Sequence, residues 1–205
     1  MFIDHIKYAL PSLTNIISIC IGRISFPLFA FMTVQGYLHT SNLKKYYKRL
    51  VVFALISQIP FMLFRTLVGE WKMLNSIFTL LLGVVAINSL DKIEKKYLSI
   101  PLCIVLVLFG ELLRTDYGGY GVLMIIIFYI FRNKKIHLYL VYFLITTIYL
   151  KLRGLIIFKD ILYYLSYFIP LAIIYFYNGK KGKEQGYFFY IFYPVHMLFV
   201  YLISL

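Results

Sequence analysis

Long apolar runs separated by short polar stops make up almost the whole chain. From the N-terminus, a ten-residue stub ends at Pro11. Apolar runs then cover 13–38, 50–67, 73–90, 97–113, 120–131, 136–150, 156–177 and 187–204. Runs this long, bounded by glycine, proline or charge, predict helices rather than strands. A bilayer crossing needs about 20 mainly apolar residues. The runs at 120–131 and 136–150 fall short, and are expected to extend through tyrosines that sit at the interface. The expected fold is all-α: a polytopic transmembrane helical bundle of about eight full spans plus an N-terminal partial helix, forming a single integral membrane domain over 1–205. No internal repeat is visible, which weakens a transporter reading, because many transporters are built from duplicated halves.

Composition strengthens this picture. The chain is 62% hydrophobic and 14% charged, with a mean hydropathy of +0.84. A soluble domain carries about 25% charged residues to cover its wet surface, so the expected solvent here is lipid. The net charge of +13 does not signal nucleic acid, because the basic residues sit in short clusters between apolar runs. Counted by alternate loops, thirteen Lys and Arg fall on one side and six on the other, with Lys7 and Arg23 left in the N-terminal region. The positive-inside rule puts the thirteen in the cytoplasm and the C-terminus outside. Alternation also asks for a first helix that reaches the outer face before Pro11. Ten residues are too few to supply it, so the chain is expected to begin late; no basic start followed by an apolar core marks a cleavable signal. Cys20 and Cys103 each lie inside an apolar run, without metal or redox spacing, and read as small buried hydrophobes.

Ionisable groups inside spans are costly and usually face the bundle interior. Asp4 and His5 close the first helix, and Arg23 precedes Pro27 in the second run. Gln58 and Arg65 share a helix face, as do Asn75 and Thr79, and Tyr193 and His196. Arg114 and Asp116 follow Glu111 at the end of the fifth run. On the predicted topology His5, Arg23, Arg65, Asn75, Arg114 and Asp116 collect toward the outer ends of their spans, with His196 near mid-span. Such clustering suggests an outward-facing site. Plainer readings stand beside it: Arg65 and Arg114 as snorkelling cations, Arg114 and Asp116 as a surface ion pair, Asn75 as helix–helix glue, His39 and His137 as interfacial residues. Asp4 can orient His5 or pair with Arg23. Four scattered histidines offer no metal-ligand spacing, and no phosphate loop or serine elbow is present.

Seven stretches occur in the order of a known family: IDHI at 3–6, GRISFPLFAF at 22–31, QGY at 35–37 with His39 and Thr40, ALISQIPF at 54–61, NSIFTLLLG at 75–83, DYGGYGVL at 116–123 and FYPVH at 192–196. In these the chain resembles the TraX family of conjugation-associated membrane proteins, named for the F-pilin acetylase and distantly similar to multi-span membrane acyltransferases. The resemblance implies acetyl transfer from acetyl-CoA to an outward-facing acceptor: a pilin-like peptide amine, or a hydroxyl or amine of a surface glycan. It makes His5 the general base, oriented by Asp4, with Arg23 stabilising charge on the donor. Arg65, Asn75, Tyr193 and His196 would line the substrate path, and Arg114, Asp116 and Tyr117 its outer mouth. Lys44, Lys45 and Lys48 would meet the phosphates of coenzyme A, or serve only as the positive-inside signal. Family members carry about a helix of apolar residues before the Asp-His pair, where this chain has Met1, Phe2 and Ile3. The rival reading is a non-enzymatic membrane protein, either a small transporter or a pilus-assembly scaffold. A phosphatase fused after Leu205 is expected to be active and one fused after Lys96 inactive; the reverse pattern would overturn the orientation.

Overall fold

A computed structural model of the chain describes residues 1–10, 16–154, 161–180 and 187–205. Pro11, Lys159, Lys181 and Lys183 lie outside the described residues. The helices are α1 (Phe2–His5), α2 (Ile16–His39), α3 (Leu43–Thr66), α4 (Ser76–Lys92), α5 (Lys96–Leu112), α6 (Gly118–Ile130), α7 (Lys135–Leu152), α8 (Ile161–Ser166), α9 (Ile169–Tyr175) and α10 (Phe188–Ile203). Among the described residues the only β-type pairing is an isolated bridge between Leu74 and Thr115. The fold is all-α.

Most predicted runs agree with these helices to within a few residues, and two differ for identifiable reasons. The third helix begins seven positions before the run at 50–67, because Asn42 caps it and accepts from the Lys45 amide at 2.9 Å. The basic cluster at 44–49 is therefore the first two turns of a helix and not a loop. The predicted span at 156–177, described from Ile161 onward, is broken at Tyr167 and Phe168 between α8 and α9. Pro170 in the first turn of α9 has no N–H to give to the preceding turn. The Tyr167 carbonyl at the break is taken instead by the Tyr142 hydroxyl at 2.7 Å.

Helix α6 is the axis of the bundle. Nearly all its residues are buried, and it packs against α2, α4, α5 and α7. Small residues let the backbones approach closely there. A Cβ on Gly83 of α4 would overlap Ile125, and one on Gly121 would overlap Thr79 and Phe26. Two clamps fix the ends. At the lower end, the Tyr37 and Tyr129 hydroxyls donate to the Asp91 carboxylate at 2.9 and 2.8 Å, joining α2, α6 and α4. At the upper end, the Leu74 amide donates to the Arg114 carbonyl at 3.1 Å and the Asp116 amide to the Leu74 carbonyl at 2.8 Å. That pairing stitches the α3–α4 loop to the α5–α6 loop.

The outside is as apolar as the inside. Leu55 and Ile59 of α3, Ile104 and Leu108 of α5, and Ile136 and Leu140 of α7 are all exposed, far beyond the apolar patch a water-soluble surface carries. Among the described residues, α3 and α7 are long and apolar enough to cross a membrane. Gly83→Ala forces α4 and α6 apart, and is expected to cost about 1–3 kcal/mol, read as a lowered melting temperature in detergent. An unchanged melting temperature would contradict the close packing at Ile125.

Candidate active site

The short α1 lies against α2 and α10. Its approach to α2 depends on Gly22, since Asp4 fills the space a Cβ would occupy there. Arg23 Nη2 donates to Asp4 Oδ2 at 3.2 Å, and Lys7 Nζ to Asp4 Oδ1 at 2.5 Å. Two cations thus share one buried carboxylate. Arg23 Nε is buried and makes no hydrogen bond, while the guanidinium lies 5.6 Å from the centre of the Tyr163 ring. An Arg with donors to spare in apolar surroundings is suited to an anionic or developing-anionic partner.

His5 points elsewhere, as adjacent residues on a helix must. Its Nδ1 is 3.0 Å from Nε2 of His196 in α10, and its ring packs on Phe64 of α3 at 4.7 Å. Of the two partners expected for Asp4, the structure gives it Arg23, together with Lys7; it does not orient His5, whose ring partner is His196. Although His196 was singled out in the sequence, nothing in its spacing linked it to a residue 191 positions away.

Below the histidines lies a knot of neutral polar groups. Gln58 Oε1 accepts from the Asn75 amide at 3.1 Å and from Asn75 Nδ2 at 2.9 Å. Asn75 Nδ2 also donates to the Ala54 carbonyl at 2.7 Å, while Asn75 Oδ1 caps α4 by accepting from Ile77 at 3.0 Å. Next door, Ser76 donates through its amide (3.3 Å) and hydroxyl (3.0 Å) to the Tyr193 hydroxyl. α3, α4 and α10 are thereby tied together one turn before His196. Neither Gln58 nor Ser76 was among the expected site residues. For Gln58 the available signal was an uncharged polar side chain in the middle of an apolar run.

The upper loops close the site. Arg65 pairs with Glu70 and contacts Met73 Sδ at 2.9 Å. Arg114 adopts a left-handed backbone, φ 50°, held there by the pairing of its carbonyl with Leu74; its side chain is exposed and forms no ion pair with Asp116 among the described residues. Burial pushes the Asp116 carboxyl up to about 6, with Arg65 and Arg23 opposing the shift. Tyr117 stacks on Phe26 at 3.6 Å, putting its ring between α2 and the start of α6.

Two cavities flank these groups. One, of about 270 Å³, runs between α2, α3, α4 and α10, from Phe26, Ser76 and Tyr193 to Gly36, Tyr46 and Arg49. Its length along α2 is ~15 Å, ten residues at 1.5 Å each. Among the described residues Arg49 is the one cationic side chain lining it, and Arg49 Nε is buried without a hydrogen bond. Lys44, Lys45 and Lys48 are exposed and do not line this cavity; Arg49, absent from the expected donor residues, does. The other cavity, about 510 Å³, is a polar cleft between the upper loops, lined by Glu70, Trp71, Glu111, Arg114, Asp116 and Arg153 among others. Among the described residues no group of three His, Cys, Asp or Glu could hold a metal ion.

An apolar-surfaced helical bundle that buries an Asp–Arg–Lys cluster, a histidine pair and an amide knot near one end is a membrane protein with an internal polar site. Residues 1–204 match the family described as TraX protein, and the chain belongs to that family. It is similar to the probable fimbrial assembly protein FimC, serogroup H1, of Dichelobacter nodosus, at 31% identity over 196 residues, covering 86% of this chain and 78% of that protein. No solved structure matches the chain.

The raised Asp116 fixes a pH dependence. The folded carboxyl takes its proton near pH 6 while the unfolded one stays ionised to about 3.9. The charged form therefore weakens the fold above pH 6, and this penalty fades as pH falls through the window to 4. Asp116→Asn is expected to stabilise the protein by on the order of 2 kcal/mol at pH 7.5, with the advantage vanishing near pH 4, measured by thermal unfolding in detergent. A pH-independent difference would contradict the burial of this carboxyl.

Proposed function

We propose that the protein is an integral membrane acyltransferase that passes an acetyl group from acetyl-CoA to an acceptor on the outer side of the membrane. The observation that carries this reading is an apolar cavity that reaches Phe192 and Tyr193, the residues one turn before His196, whose ring stacks on Phe192 and meets His5 at 3.0 Å. The apolar cavity reaches from Arg49 to Ser76 and Tyr193, and suits a thin donor arm with an anionic head at the arginine. The polar cleft between the upper loops, lined by Asp116 among others, suits a hydrophilic acceptor. On this reading the helices form a multi-pass bundle of about eight spans, with Arg49 toward the cytoplasm and the C-terminus outside.

The chemistry asks for a base and an oxyanion partner. His5 takes the proton from the attacking amine or hydroxyl as the new bond to the acetyl carbon forms. Arg23, with a free Nε, faces the negative charge that develops on the acetyl oxygen. When the carbon–sulfur bond breaks, His5 returns the proton to the departing thiolate, so the ring ends as it began. A positioned base contributes about 10²–10⁴-fold, and donors to the oxyanion as much or more. The fimbrial role in the relative's name supports a pilin-like peptide as the acceptor; a surface glycan is the other candidate. The same name also supports a scaffold in pilus assembly with no catalytic activity.

Release of free thiol from acetyl-CoA by the purified protein in lipid nanodiscs, with candidate acceptors present, separates the two. Catalysis is expected, with His5→Ala slowing it by about 10²–10⁴-fold, Arg23→Ala also strongly impaired and Lys48→Ala close to wild type. Full activity in His5→Ala would remove the base assignment. Failure to bind or consume acetyl-CoA, with pilus assembly surviving loss of His5 and Arg23, would favour the scaffold.

A further inference from the structure

We infer that His196 is a positioning residue that sets His5 in a single tautomer, with the proton on Nδ1 and Nε2 bare. His196 Nδ1 is 2.8 Å from the Phe192 carbonyl, one turn back in α10. A carbonyl can only accept, so His196 Nδ1 carries a proton. His196 is 3% exposed, and the carboxylate nearest the pair, Asp4, is already shared by Arg23 and Lys7. A second proton on His196 would bury a cation without a counter-charge. His196 is therefore neutral, and its Nε2 is a lone pair. The contact at 3.0 Å then has one consistent polarity, with His5 Nδ1–H donating to His196 Nε2.

Ring geometry agrees. The two imidazoles are within 9° of parallel, but their centroids are 5.2 Å apart, compared with 3.6 Å for the face-to-face pair Phe26–Tyr117. With nitrogens 3.0 Å apart, that separation is close to the largest two rings can have. The nitrogens thus lie along the line of centres, and the bond lies close to the ring planes, along the lone pair. Phe64 on His5 and Phe192 on His196 flank the two rings and limit rotation. The tautomer leaves Nε2 as the only nitrogen of His5 able to accept a proton. A histidine here does what a carboxylate commonly does for a catalytic imidazole, but adds no negative charge to an apolar interior. The catalytic consequence rests on the acyl-transfer reading above; the tautomer itself does not.

The experiment is ¹⁵N NMR of the histidine-labelled protein in micelles, where protonated and bare ring nitrogens have well-separated shifts. With four histidines in the chain, loss of one signal set in His5→Gln assigns the residue. His5 is expected to show a protonated Nδ1 and a bare Nε2 at neutral pH. His196→Ala is expected to release this preference toward the Nε2–H form favoured by a free side chain, and to lower kcat for acetyl transfer about 10- to 100-fold with KM little changed. His196→Gln, which keeps an acceptor oxygen near the position of Nε2, is expected to restore most of both. A proton on Nε2 of His5 in the wild type, or a tautomer indifferent to His196→Ala, would overturn the inference; should His196→Ala not fold, the wild-type and His196→Gln spectra decide alone. The predicted tautomer in a protein inert toward acetyl-CoA would leave His196 in its role and count against acetyl transfer.

Discussion

Gln58 and Asn75 meet where three helices would otherwise present unsatisfied polar groups to an apolar interior. Each carboxamide uses both its oxygen and its nitrogen, and Asn75 also caps α4 and reaches the Ala54 carbonyl. In lipid or in a dry core, no water is at hand to replace a lost partner, so such a knot is satisfied in full or is costly. Its register fixes α4 against α3. The neighbouring Ser76 then fixes Tyr193, and through it α10. One turn along α10, His196 arrives opposite His5. The histidine pair is therefore a consequence of amide geometry some way below it.

Around this frame the charges are arranged sparingly. Of eight acidic residues in the chain, Asp4 serves two cations in the interior, and Asp91 clamps two tyrosines at the lower end. Glu70, Glu111 and Asp116 line the upper cleft. Among the described residues three arginines keep a buried Nε without a hydrogen bond: Arg65 beside Glu70, Arg23 at Asp4, and Arg49 at the foot of the apolar cavity. Such donors suit anionic groups; on the proposed reading Arg23 meets charge that develops in the reaction and Arg49 the anionic head of a donor. The upper cleft, where acids and bases are balanced, suits a ligand that is polar without being strongly charged.

Much of this was legible in the sequence, because apolar runs and their stops are local. The helices from α4 to α7 follow from the pattern alone, and Asp4, His5 and Arg23 announce themselves as ionisable groups in apolar company. What was not legible is pairing at a distance. The sequence offered Asp4 either His5 or Arg23, and the helical turn between adjacent residues settles it for Arg23; the partnership of His5 with His196 had no signal at all. Arg49 looked like one more loop cation, since the cap at Asn42 that draws it into α3 depends on a single side-chain hydrogen bond. The break at Tyr167 required knowing that Tyr142 would take up a main-chain carbonyl there. For His5 and for the break at Tyr167 the missing information was a hydrogen-bond partner far along the chain; for Arg49 it was a local cap.

The central claim is that the histidine pair stands at the head of a donor cavity. An electron cryo-microscopy structure of the protein in a nanodisc, bound to a non-hydrolysable ketone analogue of acetyl-CoA, tests it most directly. The account predicts the pantetheine arm between α2, α3, α4 and α10, a phosphate at Arg49, and the ketone oxygen or carbon within about 3–3.5 Å of the Arg23 or His5 side chain. Density for the analogue elsewhere, or an occupied cavity with His5 and His196 separated, would contradict it.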